Sequence, residues 1–290
     1  MRFSGSYVAL VTPFHADGSV NFEKLRELVE WHVQQGTDGV VALGTTGESS
    51  TMSHEEDDAV ARAVIETVNG RIPVICGAGS NSTQTQLEKS RRYHDMGADG
   101  LLLITPYYNK ANDEGMYRHF ATVADAVDTP IILYNVPGRT GCSISPACCA
   151  RLAAHPNIAG IKEASGNIGY TAQIAKLVGD DFCLFSGNDD MIVPIMSLGG
   201  CGVISVWANI CPKEVHALTS AFASGEIAKA REIQLKYLEL IDALFCEVNP
   251  IPVKEAMNQM GMEVGGYRLP LCEISPAGRE RVRRALEVLR

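Results

Sequence analysis

The sequence predicts a closed (β/α)8 barrel followed by a small helical appendix, and three observations carry the prediction. Eight short apolar runs, each bounded by Gly, Pro or Asp, recur between Tyr7 and Val206. Their apolar character is continuous rather than alternating, as a parallel strand covered on both faces requires. Amphipathic stretches fill the gaps between them. A glycine pattern also recurs before the second, fourth and eighth runs, as Gly36-Thr37-Asp38-Gly39, Gly97-Ala98-Asp99-Gly100 and Gly199-Gly200-Cys201-Gly202. From 36 to 97 is 61 residues, or two strand-helix units of about thirty each. Eight such units in 290 residues close a barrel rather than build an open sheet.

The strands are expected to begin near Tyr7, Gly39, Pro73, Gly100, Pro130, Ile158, Phe182 and Gly202. Between the first two, Phe22 to Gln34 places Leu25, Leu28, Val29 and His32 at helical spacing. Glu55 to Val68 repeats the pattern with Ala59, Ala63 and Val64, and Ser53 with Glu56 three residues later reads as a capping box. In the glycine pattern the first glycine ends a helix and the last starts a strand. After Cys211 the chain is helical only: Lys213 to Ala223, Ile227 to Phe245, Pro252 to Gln259 and Pro276 to Leu289. With no strand left to follow and no flexible linker, these segments form an appendix. The expected division is a barrel over 1–224 and a helical domain over 225–290.

With 34 acidic against 25 basic side chains and a net charge of -9, the chain is no nucleic-acid binder, which would concentrate Lys and Arg. No run reaches the roughly 18 apolar residues that cross a bilayer. Met1-Arg2-Phe3 leads into a strand-like segment rather than a charged tip plus apolar run, so a cytoplasmic location is expected. The nine cysteines include no CxxC pair; Cys76, Cys183 and Cys201, in or beside apolar runs, read as reduced core thiols. Adjacent Cys148 and Cys149 read as one surface and one core residue of a helix. The seven histidines show neither HxxxH nor a nearby thiol pair, so no metal site is read.

In barrels of this kind the active site lies at the carboxyl ends of the strands. Of the nine lysines, Lys162 alone ends an apolar strand. Partly desolvated there, its amine is available to attack a carbonyl carbon; a salt bridge to neighbouring Glu163 is the alternative. Strand neighbours point to opposite faces, so Glu163 leaves the barrel if Lys162 enters it. Schiff-base chemistry needs proton carriers, and Thr45, Thr46, Tyr108 and Tyr134 offer hydroxyls at or just beyond strand ends. Each tyrosine also reads as a core ring with a satisfied hydroxyl. Arg139, in Pro137-Gly138-Arg139-Thr140-Gly141, reads as a carboxylate clamp or as a solvated loop residue. Gly77-Ala78-Gly79 lacks the third glycine of a dinucleotide fingerprint.

Three motifs, Gly44-Thr45-Thr46-Gly47-Glu48-Ser49, Tyr134-Asn135-Val136-Pro137-x-Arg139-Thr140-Gly141 and Gly160-Ile161-Lys162-Glu163-Ala164, resemble those of the dihydrodipicolinate synthase family. The similarity runs over the whole chain, including Asn249-Pro250-Ile251-Pro252-Val253-Lys254. A wider superfamily of pyruvate-handling lyases shares the barrel and the lysine; Thr45-Thr46 with Arg139 selects this family within it. The resemblance implies that Lys162 forms an imine with pyruvate, whose enamine attacks the aldehyde of L-aspartate 4-semialdehyde and opens the diaminopimelate route to lysine. It assigns Tyr134, Thr45 and Tyr108 to a proton relay, with Tyr108 reaching in from a neighbouring subunit. Thr46 falls to the pyruvate carboxylate, Arg139 to the carboxylate of the semialdehyde, and Gly187 and Ile204 to the pocket lining. A homotetramer, built as a dimer of tight dimers and working without an organic cofactor, is implied as well.

A lysine-feedback site would fall on Ser49, Ser50, His54, Asn81 and Tyr107. Asp57 and Thr85 stand where lysine-sensitive members of the family carry a histidine and a glutamate, so weak or absent inhibition is expected. Asn188-Asp189 replaces a commonly doubly acidic pair. Trp207 occupies a usually small position, where it would narrow the pocket or alter subunit packing. Another pyruvate aldolase, an N-acetylneuraminate lyase or sugar-acid aldolase, is the second reading. A catalytically silent binding barrel is the third, and the presence of Lys162, Thr45, Tyr108 and Tyr134 speaks against it.

Overall fold

The computed structural model describes residues 3–289, so Met1 and Arg2 of the expected leading segment lie outside the described residues. Eight parallel strands close into a barrel in chain order: β1 (Gly5–Ala9), β2 (Gly39–Ala42), β3 (Val74–Gly77), β4 (Gly100–Ile104), β5 (Ile131–Asn135), β6 (Ile158–Glu163), β7 (Cys183–Ser186) and β8 (Gly202–Ser205). Each starts within two residues of its expected position. The strands are almost wholly buried, which is why their sequences show no polar alternation.

By compactness the chain divides into two units. One runs over Pro73–Ile204 together with the described residues up to Gly5. It carries β3 to β7, most of β8, and the helices α3 (Thr83–Asp95), α4 (Asp113–Ala124), α5 (Pro137–Thr140), α6 (Pro146–Ala153), α7 (Ile168–Leu177) and α8 (Ile192–Ser197). The other joins Ser6–Ile72 to the chain from Ser205 onward. It holds α1 (Phe22–Gln34), α2 (His54–Val68) and the C-terminal helices α9 (Pro212–Ala223), α10 (Ile227–Lys236), α11 (Leu238–Ala243), α12 (Ile251–Gln259) and α13 (Pro276–Ala285). Among the described residues no helix is long and apolar enough to cross a membrane.

The glycine pattern works as a joint between helix and strand. Gly36, Gly97 and Gly199 have φ of +80°, +86° and +92°, the left-handed residue that ends a helix. Two residues on, Asp38 donates its N–H to Ser6 O at 2.9 Å and accepts the Ser6 N–H on Oδ2 at 2.7 Å. Asp99 makes the same exchange with Val74, at 2.9 and 2.8 Å. In the third copy Cys201 fills the aspartate position; its N–H donates to Leu184 O and its carbonyl accepts from Gly5 N, both at 2.9 Å.

Two expectations are corrected. The stretch Ile227 to Phe245 is two helices, because Tyr237 (φ −98°, ψ 6°) leaves helical geometry and its N–H reaches Ile233 O only at 3.3 Å. Its ring lies 5.1 Å from that of Trp207. Trp207 is fully buried against it. Cys148 and Cys149 are both buried, Cys148 beneath the start of α4 with its Sγ 3.6 Å from Asp113 O.

The capping box of α2 is present and has a second use. Ser53 N donates to Glu56 Oε2 at 2.9 Å and Glu56 N donates to Ser53 Oγ at 3.2 Å. Arg268 then grips both carboxylate oxygens at 2.7 Å, while its Nε and Nη1 donate to Gly18 O and Thr51 O. The Arg268 hydrogen bonds hold the Glu56 carboxyl at about 2, below its ordinary 4.5. A group with a depressed folded pKa stabilises above its unfolded pKa and loses that contribution as pH falls through the folded value. Glu56→Gln is therefore expected to cost about 1 kcal/mol at neutral pH, after screening of this partly exposed pair. Its deficit against wild type should close as pH falls from about 5 to about 2. Thermal melts across that range check both statements.

Candidate active site

Lys162 and Tyr134 are register partners on β6 and β5, so their side chains leave the sheet at one level and on one face. The Lys162 Nζ lies 4.5 Å from the centre of the Tyr134 ring. Lys162 is 6% exposed, so its amine meets little water. Glu163 turns the other way, as strand alternation requires. Its Oε2 accepts from Asn135 Nδ2 at 2.7 Å and its Oε1 from Ser165 N at 2.6 Å. Burial raises the Glu163 pKa, against the lowering effect of the Ser165 and Asn135 hydrogen bonds. The Glu163 carboxylate is thus a brace behind β5 and β6 rather than the partner of Lys162.

Gly187 follows β7 directly and stands against this pair. Its N–H donates to Glu163 O at 2.7 Å. A Cβ there would stand 2.6 Å from Ala164 Cβ and 3.2 Å from Lys162 Cε, so only glycine leaves room beside the amine. Ile204 is fully buried on β8.

After β5 the chain makes the single turn α5, which puts Arg139 on the surface. The turn is stapled to the end of β4: Thr105 Oγ1 donates to Thr140 Oγ1 at 3.0 Å, and Cys142 Sγ lies 3.2 Å from Pro106 O. Beyond β4, Tyr108 takes a left-handed φ of +66° and is 92% exposed. It takes no part in the Lys162–Tyr134 pair of its own chain.

In the other unit, β2 runs into the tight turn Thr45-Thr46-Gly47-Glu48. Thr45 is half-buried and Thr46 buried. Thr12 Oγ1 donates to Gly47 O at 2.6 Å, and Asn249 Nδ2 donates to Thr46 Oγ1 at 3.0 Å. Glu48, at φ +55°, is buried and paired with Lys254, Nζ to Oε1 at 2.7 Å, with both side chains 0% exposed. Lys254 also donates to Thr12 O at 3.1 Å and Gly266 O at 2.5 Å, between the rings of Phe14 and Tyr267. Burial lowers its pKa, while the Glu48 charge raises it. With all three ammonium hydrogens committed, this amine has no lone pair to offer. Lys254 lies in the stretch Pro252 to Gln259 that the sequence reads as helix, and its burial was not foreseen there. The signal for it was Glu48 itself, an acid at a buried strand end that needs a cation.

Of the feedback candidates, Asn81 and Tyr107 meet, Asn81 Nδ2 donating to Tyr107 O at 3.2 Å. Ser49 and Ser50 sit in the short 3-10 turn Ser49–Thr51, and His54 opens α2 on an exposed face. Asp57 is buried in the first turn of that helix.

The model of the dihydrodipicolinate synthetase family matches residues 2–289. The chain is 52% identical over 272 residues to 4-hydroxy-tetrahydrodipicolinate synthase of Clostridium perfringens, covering 94% of this chain and 93% of the relative. A crystal structure of a dihydrodipicolinate synthase superposes with a TM-score of 0.96 at 45% identity, covering 99% of both chains. The chloride-inhibited enzyme from Acinetobacter baumannii, solved in complex with pyruvate, gives 0.96 at 44% identity over 98% of each chain.

Proposed function

The chain belongs to the dihydrodipicolinate synthetase family, and from that premise we propose that it condenses pyruvate with L-aspartate 4-semialdehyde, the first step of the diaminopimelate route to lysine. The observation that carries the reading is the Lys162–Tyr134 register pair, with space kept open beside the amine by Gly187. In the proposed mechanism Lys162 Nζ attacks C2 of pyruvate, and the carbinolamine loses water to give the imine. Loss of a methyl proton yields the enamine, whose C3 attacks the aldehyde carbon of the semialdehyde and forms the new C–C bond. The aldehyde oxygen takes up a proton and becomes the hydroxyl. The amino group of the bound semialdehyde then adds to the imine carbon and displaces Lys162, closing the ring and releasing the free amine. One water leaves per turnover.

Each transfer needs a carrier near the amine, and the Tyr134 phenol is placed for it. Thr45 and Tyr108 complete the relay in this proposal, Thr46 holds the pyruvate carboxylate, and Arg139 binds that of the semialdehyde through its planar fork. Gly187 and Ile204 line the pocket. The exposure of Tyr108 supports its action in a second copy of the chain, within a homotetramer of paired dimers. Borohydride added with pyruvate, followed by peptide mapping, tests the chemistry. A reduced adduct on Lys162 is expected, with turnover of the semialdehyde and no cleavage of N-acetylneuraminate. An adduct on another lysine, or sugar cleavage as the faster reaction, would overturn the proposal.

A further inference from the structure

We propose that Asn249 and Lys254, contributed by the C-terminal segment, are positioning residues that fix the polarity and place of the Thr46 hydroxyl for the keto-acid carboxylate. The inference rests on the role given above to Thr46 and deepens it.

A threonine hydroxyl has one hydrogen and two lone pairs. To hold a carboxylate it must donate that hydrogen, so its own lone pair is best occupied by a donor. Asn249 Nδ2 supplies this donor at 3.0 Å, in a buried setting where the hydroxyl has few competing partners. The Thr46 hydrogen is left to point onward. The backbone of the same turn is held separately. Gly47 O accepts from Thr12 Oγ1, and Glu48, the next residue, is tied through its carboxylate to Lys254, which in turn bridges Thr12 O and Gly266 O. The turn therefore has its hydroxyl polarity set by residue 249 and its backbone by residue 254, five positions apart on the entry to α12. Glu48 is held in a left-handed backbone conformation that a non-glycine residue takes up only when its surroundings impose it.

Asn249→Asp keeps the shape of the side chain and reverses the hydrogen bond. The carboxylate would accept the Thr46 hydrogen and place a negative charge beside the substrate anion. The expected result is a pyruvate KM raised about 10- to 100-fold, the range for losing a hydrogen bond to a charged group, with the semialdehyde KM little changed. Asn249→Ala, which leaves a cavity but no reversed polarity, should raise the pyruvate KM less. A purely structural role predicts the opposite order, with the isosteric aspartate the milder change. That order, or a pyruvate KM unmoved in the aspartate variant, overturns the proposal. Should both variants fail to fold, the paired change Lys254→Met with Glu48→Gln removes both buried charges together. It is expected to keep imine trapping on Lys162 while raising the pyruvate KM, and unchanged kinetics would overturn the assignment of Lys254. Trapping on wild-type Lys162 is read alongside, so failure of the Schiff-base reading is seen separately.

Discussion

Lys162→Ala is expected to lower kcat by about 10⁴-fold or more, the loss typical of removing a covalent nucleophile. Borohydride and pyruvate should leave no adduct on the variant. The effect is this large because Lys254 cannot substitute for the lost amine. Lys254, the other deeply buried lysine described above, has its three hydrogens donated to Thr12 O, Glu48 Oε1 and Gly266 O. Neither can Glu163 take over as a base on the same face, since strand alternation turns it away and Asn135 and Ser165 occupy its oxygens. Steady-state kinetics of the purified variant decide the matter, and turnover within tenfold of wild type would sink the account.

The second large effect is expected from Tyr134→Phe. The ring stays beside Lys162 and its packing is conserved, so the change isolates the hydroxyl. Loss of a positioned proton carrier typically costs 10²- to 10⁴-fold, and kcat should fall within that range. Imine trapping on Lys162 should persist but slow, because water must be expelled from the carbinolamine without the phenol. Stopped-time borohydride quenching measures that rate. An unchanged rate would remove Tyr134 from the relay.

The barrel was legible because its physics is local. Each strand is buried on both faces and reads as an apolar run, and each joint at Gly36, Gly97 and Gly199 needs the same left-handed residue. Lys162 and Tyr134 were legible for a related reason: a polar residue closing an apolar strand has few structural uses. The break at Tyr237 was hidden because no proline or glycine marks it; its only correlate is a ring packed on Trp207, thirty positions earlier in the chain. Lys254 was hidden more deeply. Its surroundings in sequence are two prolines and a helical start, while its counterion is 206 residues away. Pairings at that separation leave no periodic trace.

That separation also dictates an order of events during synthesis. Glu48 leaves the ribosome 206 residues ahead of Lys254, so a carboxylate destined for a dry interior must wait, hydrated, while those residues are made. Until then the turn after β2 has no counterion and cannot adopt its finished shape. A nascent chain halted short of residue 254 should therefore display all the strands and still lack a settled Thr45–Glu48 turn. A segment made 206 residues later completes one made early.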